Sequence, residues 1–239
     1  MFTRFFTQTR KFTQKMKEIT SEVTSHVKSS SDPSSVTLAA DLLLQGEVIA
    51  LPTDTVYGLA CNANNPRAIQ KLYEIKGRDE NKPVAICVDT ISAVKRFGNA
   101  DHLPDELLHQ LLPGPVTLVL FKSEFLNNPF LNPGVSKIGI RIPKYSFIQE
   151  IAAKCDFPVA LSSANRSSEK SSLNVGEFKN LWRELGAIFD GGQLGQDQQR
   201  AASTVIDVSE PGKFSVIRDG VAVKETIRLL EMYDIKELR

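Results

Sequence analysis

Hydroxyls, amides and cations gather in a few short stretches of this chain. In Pro52-Thr-Asp-Thr-Val-Tyr-Gly-Leu59 the residues Thr53 and Thr55 lie two apart, so their hydroxyls share one face of an extended backbone. Gly58 lets the backbone turn sharply or approach a ligand closely. A plain strand-end turn and a ligand loop both fit this stretch. Lys76-Gly77-Arg78, with Lys82-Pro83 shortly after, sets three cations behind a helix. Such charge could grip a polyphosphate, arginine through paired hydrogen bonds, and it could equally complement the helix dipole. In Gly139-Ile-Arg-Ile-Pro143, Arg141 faces away from two isoleucines and needs an acidic partner or a ligand carboxylate. Pro113-Gly-Pro-Val-Thr117 is a stiff turn into a strand that could wall a base pocket. Ser162-Ser-Ala-Asn165, Ser203-Thr-Val205 and Arg218-Asp-Gly220 complete the set.

None of the standard nucleotide fingerprints occurs: no GxxxxGK[ST], no GxGxxG opening a helix, no HRD or DFG pair. If a nucleotide binds, side-chain cations and strand-end loops must replace a P-loop. The three cysteines, Cys61, Cys87 and Cys155, form no CxxC pair and point to a reducing compartment. His26, His102 and His109 make no ligand cluster, and His102 and His109 are expected to be ordinary surface residues, so no metal site is expected. The net charge of +1 hides an asymmetry, because Arg4, Arg10, Lys11, Lys15 and Lys17 precede the first acid, Glu18. Without those five, 24 basic residues face 28 acidic ones, a net charge of about −4. That balance argues against a general phosphate-backbone binder, so positive charge must be local to a pocket.

The elements that position these residues read as a single α/β domain, since 239 residues suit one sizeable core. Residues 1–31 are basic and rich in Ser, Thr and Phe, which fits either a mitochondrial presequence or a disordered tail. Residues 32–239 are expected to form the domain, with Asp32-Pro33 capping a helix that ends at Gly46. A strand follows at Glu47–Leu51, and Asn65-Pro66 opens a helix that Gly77 closes. Strands are expected at Val84–Val88, Thr117–Phe121, Ile138–Ile142, Val159–Leu161, Ala187–Phe189, Ser203–Val208 and Phe214–Ile217. Helices are expected at 103–112, 146–154, 175–185 and 221–233. Strands and helices interleave without strict alternation, which predicts a mixed twisted sheet with flanking helices. The polar stretch Gly191–Arg200 reads as a mobile loop. No apolar run is long enough to span a membrane.

Taken in this order, PTDTVYGL, KGR…KP, PGPVT, GIRIP, SSAN, STV and RDG resemble the YrdC-like threonylcarbamoyl-AMP synthase family, from about residue 35 to 220. The resemblance implies an open twisted α/β sheet around a deep positive cavity. It implies a nucleotidyltransferase that uses L-threonine, bicarbonate or CO2, and ATP with Mg2+ to make threonylcarbamoyl-adenylate and pyrophosphate. A separate tRNA threonylcarbamoyl transferase, met transiently, would place the product next to the anticodon. Thr55, Cys87, Arg141, Ser163 and Ser203 would contact threonine; the family often has histidine where Cys87 stands. Lys76 and Arg78 would be catalytic, with Arg78, Lys82, Thr117, Asn165 and Arg218 on ATP. The SSAN motif departs from the family in continuing as Arg166-Ser167-Ser168. The short stretch after Arg218 fits the single-domain form. The implied location is cytoplasmic, with the basic N-terminal segment adding a mitochondrial option. The rival from another class is a non-catalytic tRNA or double-stranded RNA-binding module, although no stable nucleic-acid binding is expected from the charge balance.

Overall fold

Short apolar runs with a two-residue period dominate the chain, and they assemble into one mixed sheet. The computed structural model describes residues 26–77, 83–196 and 200–238. It opens with β1 (Val27–Ser29), α1 (Ser35–Leu44), β2 (Ile49–Leu51), β3 (Gly58–Asn62) and α2 (Pro66–Lys76). There follow β4 (Ala85–Cys87), α3 (Ile91–Phe97), α4 (Asp105–Leu111), β5 (Val116–Phe121), β6 (Lys137–Arg141), α5 (Ser146–Lys154) and β7 (Val159–Ser163). A kinked 3₁₀ stretch (Val175–Glu184) leads to β8 (Ala187–Asp190), β9 (Thr204–Asp207), β10 (Lys213–Arg218), α6 (Val223–Met232) and β11 (Lys236–Glu237). The sheet order is β1-β8-β2-β3-β7-β4-β6-β5-β9-β10-β11. Parallel pairs (β1 with β8, β8 with β2, β4 with β6, β5 with β9, β10 with β11) mix with antiparallel ones, so the expected mixed sheet is observed.

Local chemistry explains the helix ends. The Asn65 side chain accepts from the amides of Arg67 and Ala68, Pro66 sits in the first turn, and Gly77 ends α2 at φ 53°. Asp32 does not cap α1 as expected. Its carboxylate instead accepts from the Ser34 amide and hydroxyl, holding a turn ahead of a helix that starts at Ser35. The sheet also begins before Asp32, because β1 pairs in parallel with β8. Residues 1–25, with most of the basic segment, lie outside the described residues.

The two faces of the sheet are covered unequally. On β2, Ile49 and Leu51 pack with Leu43 of α1 and with Phe147, Ile148 and Ile151 of α5, whereas Ala50 points to the other, larger core. On β7, Val159 and Leu161 join the first cluster and Ala160 the second. Further along the sheet the same alternation continues without the helices. Leu118 and Leu120 of β5, Ile138 and Ile140 of β6 and Ile206 of β9 fill the large core. Their alternates (Thr117 and Val119, Gly139 and Arg141, Val205 and Asp207) turn to the face that α1 and α5 leave bare.

This packing corrects the reading of Cys87. Its neighbour in register is Arg141, but Cys87 itself is only 1% exposed and belongs to the α5-covered cluster with Phe147 and Val159. It does not line the cavity described below. Burial pushes its thiol up to about 12, with a partial offset from the nearby Arg141 charge. The Cys61 thiol is likewise raised by burial, and half-buried Cys155 reaches about 11. Because only the thiolate reacts, native Cys61 and Cys87 should resist a thiol reagent at both pH 7 and pH 9. Cys155 should label first, and all three should label once urea unfolds the protein. Rapid native labelling of Cys87, measured by peptide mass, would contradict the packing described.

Candidate active site

The bare half of the sheet face floors a cavity of about 620 Å³. Its walls come from the β2–β3 loop, the end of α2, the segment after β7, and the residues flanking β9 and β10. Of the residues singled out in the sequence, Thr55, Lys76, Thr117, Arg141, Ser163, Asn165, Ser203 and Arg218 all line it. Cys87 does not, and Arg78 and Lys82 lie outside the described residues. Among the described lining residues, four cations (Lys76, Lys137, Arg141, Arg218) face one carboxylate, Asp207, which already pairs with Lys137 at 2.8 Å.

The Pro52–Tyr57 loop is a built turn. The Thr53 hydroxyl donates to the Val56 carbonyl at 2.7 Å and accepts from the amides of Thr55 and Val56. It lies 3.2 Å from the Thr55 hydroxyl, so the two hydroxyls do share a face, although the backbone is bent. Tyr57 ties the loop elsewhere: its hydroxyl accepts from Gly191 and donates to the Gly192 carbonyl, each at 2.8 Å. Residues 191–196 form no regular element, yet they are fastened here and by Leu194 to Leu173. Arg200 grips Glu177 through both terminal nitrogens, at 2.6 and 3.0 Å.

Lys76 is 4% exposed and donates to the carbonyls of Ser163 and Asn165, at 2.6 and 2.8 Å. Its ammonium thus braces the end of β7 while lining the cavity. The Asn165 amide donates to the carbonyls of Arg166 and Glu169, and its buried Oδ1 has no acceptor role among the described residues. A buried polar atom without a partner costs about 1–3 kcal/mol, so a ligand donor at Asn165 Oδ1 would relieve it.

Across the floor, the Thr117 and Ser203 hydroxyls meet at 2.8 Å. Arg218 donates to the Ser203 carbonyl from Nε and Nη2 and to its hydroxyl from Nη2. Desolvation, followed by the like charge of Arg141, lowers the Arg218 pKa, and both guanidiniums belong to residues that line the cavity. Gly220 is needed beside them, since a Cβ there would sit 2.2 Å from the Thr204 amide. Gly139 keeps the floor flat: a Cβ would meet Thr117 Cγ2 at 3.0 Å and Ala85 Cβ at 3.3 Å.

Arg141 has the acidic partner that the sequence demanded. Its Nη2 donates to Asp54 Oδ1 at 2.5 Å, and both side chains are under 10% exposed. Asp54 Oδ2 accepts from the Lys144 amide at 2.9 Å, and Arg141 Nε is buried without an acceptor among the described residues. Residue type alone does not single out Asp54, although it stands between Thr53 and Thr55. Arg141 signalled that an acid was required, but that acid lies 87 residues away in the chain, so no local pattern identified it. Among the described residues no three His, Cys, Asp or Glu side chains cluster to hold a metal ion. No helix among them is long and apolar enough to cross a membrane.

Comparison with known proteins identifies relatives of the whole domain. A family model for the Sua5/YciO/YrdC domain, described as telomere recombination, matches residues 41–220. The chain is 48% identical to the threonylcarbamoyl-AMP synthase of Bos taurus over 196 residues, 81% of this chain and 70% of that one. It is also 48% identical to the Homo sapiens threonylcarbamoyl-AMP synthase over 192 residues, 79% of this chain and 68% of that one. Among solved structures, P. abyssi Sua5 complexed with L-threonine superposes with a TM-score of 0.74 at 28% identity, covering 85% of this chain and 58% of that one. E. coli YciO shares the fold at 22% identity, with a TM-score of 0.72 over 82% of this chain and 93% of that one. The chain belongs to the Sua5/YciO/YrdC family.

Proposed function

We infer that this chain is a threonylcarbamoyl-AMP synthase, making L-threonylcarbamoyladenylate and pyrophosphate from L-threonine, bicarbonate or CO2, and ATP. The observation that carries the reading is one cavity in which a carboxylate-binding arginine with hydroxyls lies beside further cations and an unpartnered amide oxygen. The synthases in cattle and human, 48% identical, support the reaction, and the threonine-bound relative supports the amino acid. A non-catalytic RNA-binding module would display its cations on an open surface, whereas Lys76 and Arg141 are buried in the cavity wall.

The chemistry suits these residue types. The threonine amine and CO2 give a carbamate, whose oxygen attacks the α-phosphorus of ATP. The bond to the bridging oxygen breaks, and pyrophosphate leaves with the electron pair. All reacting partners are anions, so the obstacle is repulsion and alignment. Positioned cations and hydroxyls meet both needs without a covalent nucleophile. Arg141, Thr55, Ser163 and Ser203 would orient the amino acid. Lys76, Thr117, Asn165 and Arg218, together with Arg78 and Lys82, would hold the nucleotide. Magnesium would arrive on the triphosphate, largely through water, and neutralise phosphate charge. The product would pass to a separate tRNA-modifying transferase.

Two experiments test this reading. Pyrophosphate release from ATP should require both L-threonine and bicarbonate, and Arg141→Ala should raise the KM for threonine by roughly 10- to 100-fold, as expected for a lost hydrogen-bonded ion pair. Release that is independent of threonine, or absent from the wild-type protein, would sink the proposal. We also propose that the acid-free basic stretch of residues 1–17 directs part of the protein to mitochondria while the rest stays cytoplasmic. A reporter carrying residues 1–31 should then distribute between the two compartments, and a wholly cytosolic reporter would refute import.

A further inference from the structure

The two feet of the β2–β3 loop stand at one end of the sheet, because Leu51 pairs with Gly58 and Gly58 with Ser163. Arg141, on β6, stands level with the other end of β7. It pairs with Cys87, and Cys87 pairs with Val159, four residues before Ser163 along β7. At about 3.3 Å per residue that offset is roughly 13 Å. The loop must therefore arch along the cavity to reach Arg141, and its reach ends in the Asp54 carboxylate.

That carboxylate does not clasp the guanidinium in the two-pronged manner open to such pairs. One oxygen takes Arg141 Nη2, and the other takes the amide of Lys144, just beyond β6. Asp54 thus fastens the loop to β6 at two points, one side chain and one backbone. Its chain neighbour Thr55 is held over the cavity by the same fastening, with the hydroxyl set against Thr53. Removing one partner of a buried pair leaves an uncompensated charge, so a weak or mobile contact at this place is disfavoured.

We propose that Asp54 is the positioning residue of the amino-acid subsite. It sets the distance between the Thr55 hydroxyl and the Arg141 guanidinium, and it occupies only part of that guanidinium, which leaves the remaining donors for the substrate carboxylate. Asp54 itself touches no substrate. The inference rests on the synthase reading of the cavity.

Steady-state kinetics on Asp54→Asn and Asp54→Glu separate this role from a merely structural one. Asn keeps an acceptor for the Lys144 amide but loses the charge on Arg141. Asp54→Asn should raise the KM for threonine at least tenfold and leave the KM for ATP within about twofold. Asp54→Glu keeps the charge at a longer reach, and its KM for threonine should fall between those of wild type and Asp54→Asn. Equal rises in both KM values, or an unchanged KM for threonine in a folded variant, would overturn the proposal. If Asp54→Asn does not fold, Asp54→Glu carries the test alone, with an unchanged KM for threonine as the overturning result. A wild-type protein without threonine-dependent pyrophosphate release would instead dismiss the synthase reading, so the two failures are distinguishable.

Discussion

A strand turns alternate side chains to opposite faces, so wherever helices leave one face of a sheet bare, every second residue there must tolerate solvent or a ligand. In this protein α1 and α5 cover that face over β2, β3, β7, β8 and the end of β4. Beyond their edge the same alternation continues into β5, β6 and β9, with Leu118, Ile140 and Ile206 still filling the opposite core. The outward positions become Thr117, Gly139, Arg141, Val205 and Asp207. The cavity is thus a property of incomplete helical cover. The residues of its floor are positioned by strand register.

Fixed positions matter because the cavity holds like charges close together. Lys76 and Arg141 are buried, and Arg218 is shifted down by desolvation and by Arg141. Burying cations is unfavourable unless donors find acceptors. Each cation here has local acceptors: the β7-end carbonyls for Lys76, Asp54 for Arg141, and Ser203 for Arg218. These contacts hold the charges in place when no anion is bound. They leave specific atoms unsatisfied, Arg141 Nε and Asn165 Oδ1 among them. Such a frame resembles a transition-state template, with donors fixed in advance and little reorganisation needed when anions arrive.

Much of this was legible in the sequence where local chemistry dominates. The Asn65 cap and the Gly77 stop of α2 follow from side-chain hydrogen bonding and a left-handed backbone, and both can be read from residue type. The apolar runs that became β5, β6 and β8 are similarly plain. Harder cases depend on tertiary context. Gly58–Asn62 has no β-branched residue and is a strand because it is buried between β2 and β7. Val27–Ser29 is exposed or half-exposed and joins the sheet only by pairing with β8. At the site, residue type singled out the stretches that hold Thr55, Lys76, Arg141, Asn165, Ser203 and Arg218, the resemblance named these residues, and all six line the cavity. The resemblance also named Cys87, whose register beside Arg141 fits but whose side chain packs under α5, away from the cavity lining. Residue type could not pair Asp54 with Arg141, a contact between residues far apart in the chain.

That one bare sheet face receives both the amino acid and the nucleotide is tested most directly by filling its floor. Gly139→Val adds a side chain where even a Cβ meets Thr117 and Ala85 at 3.0 and 3.3 Å. Calorimetric titration of this variant with L-threonine and with ATP should show at least a tenfold loss of affinity for each, while the protein remains folded. Wild-type affinity for either ligand in the folded variant would contradict a shared floor.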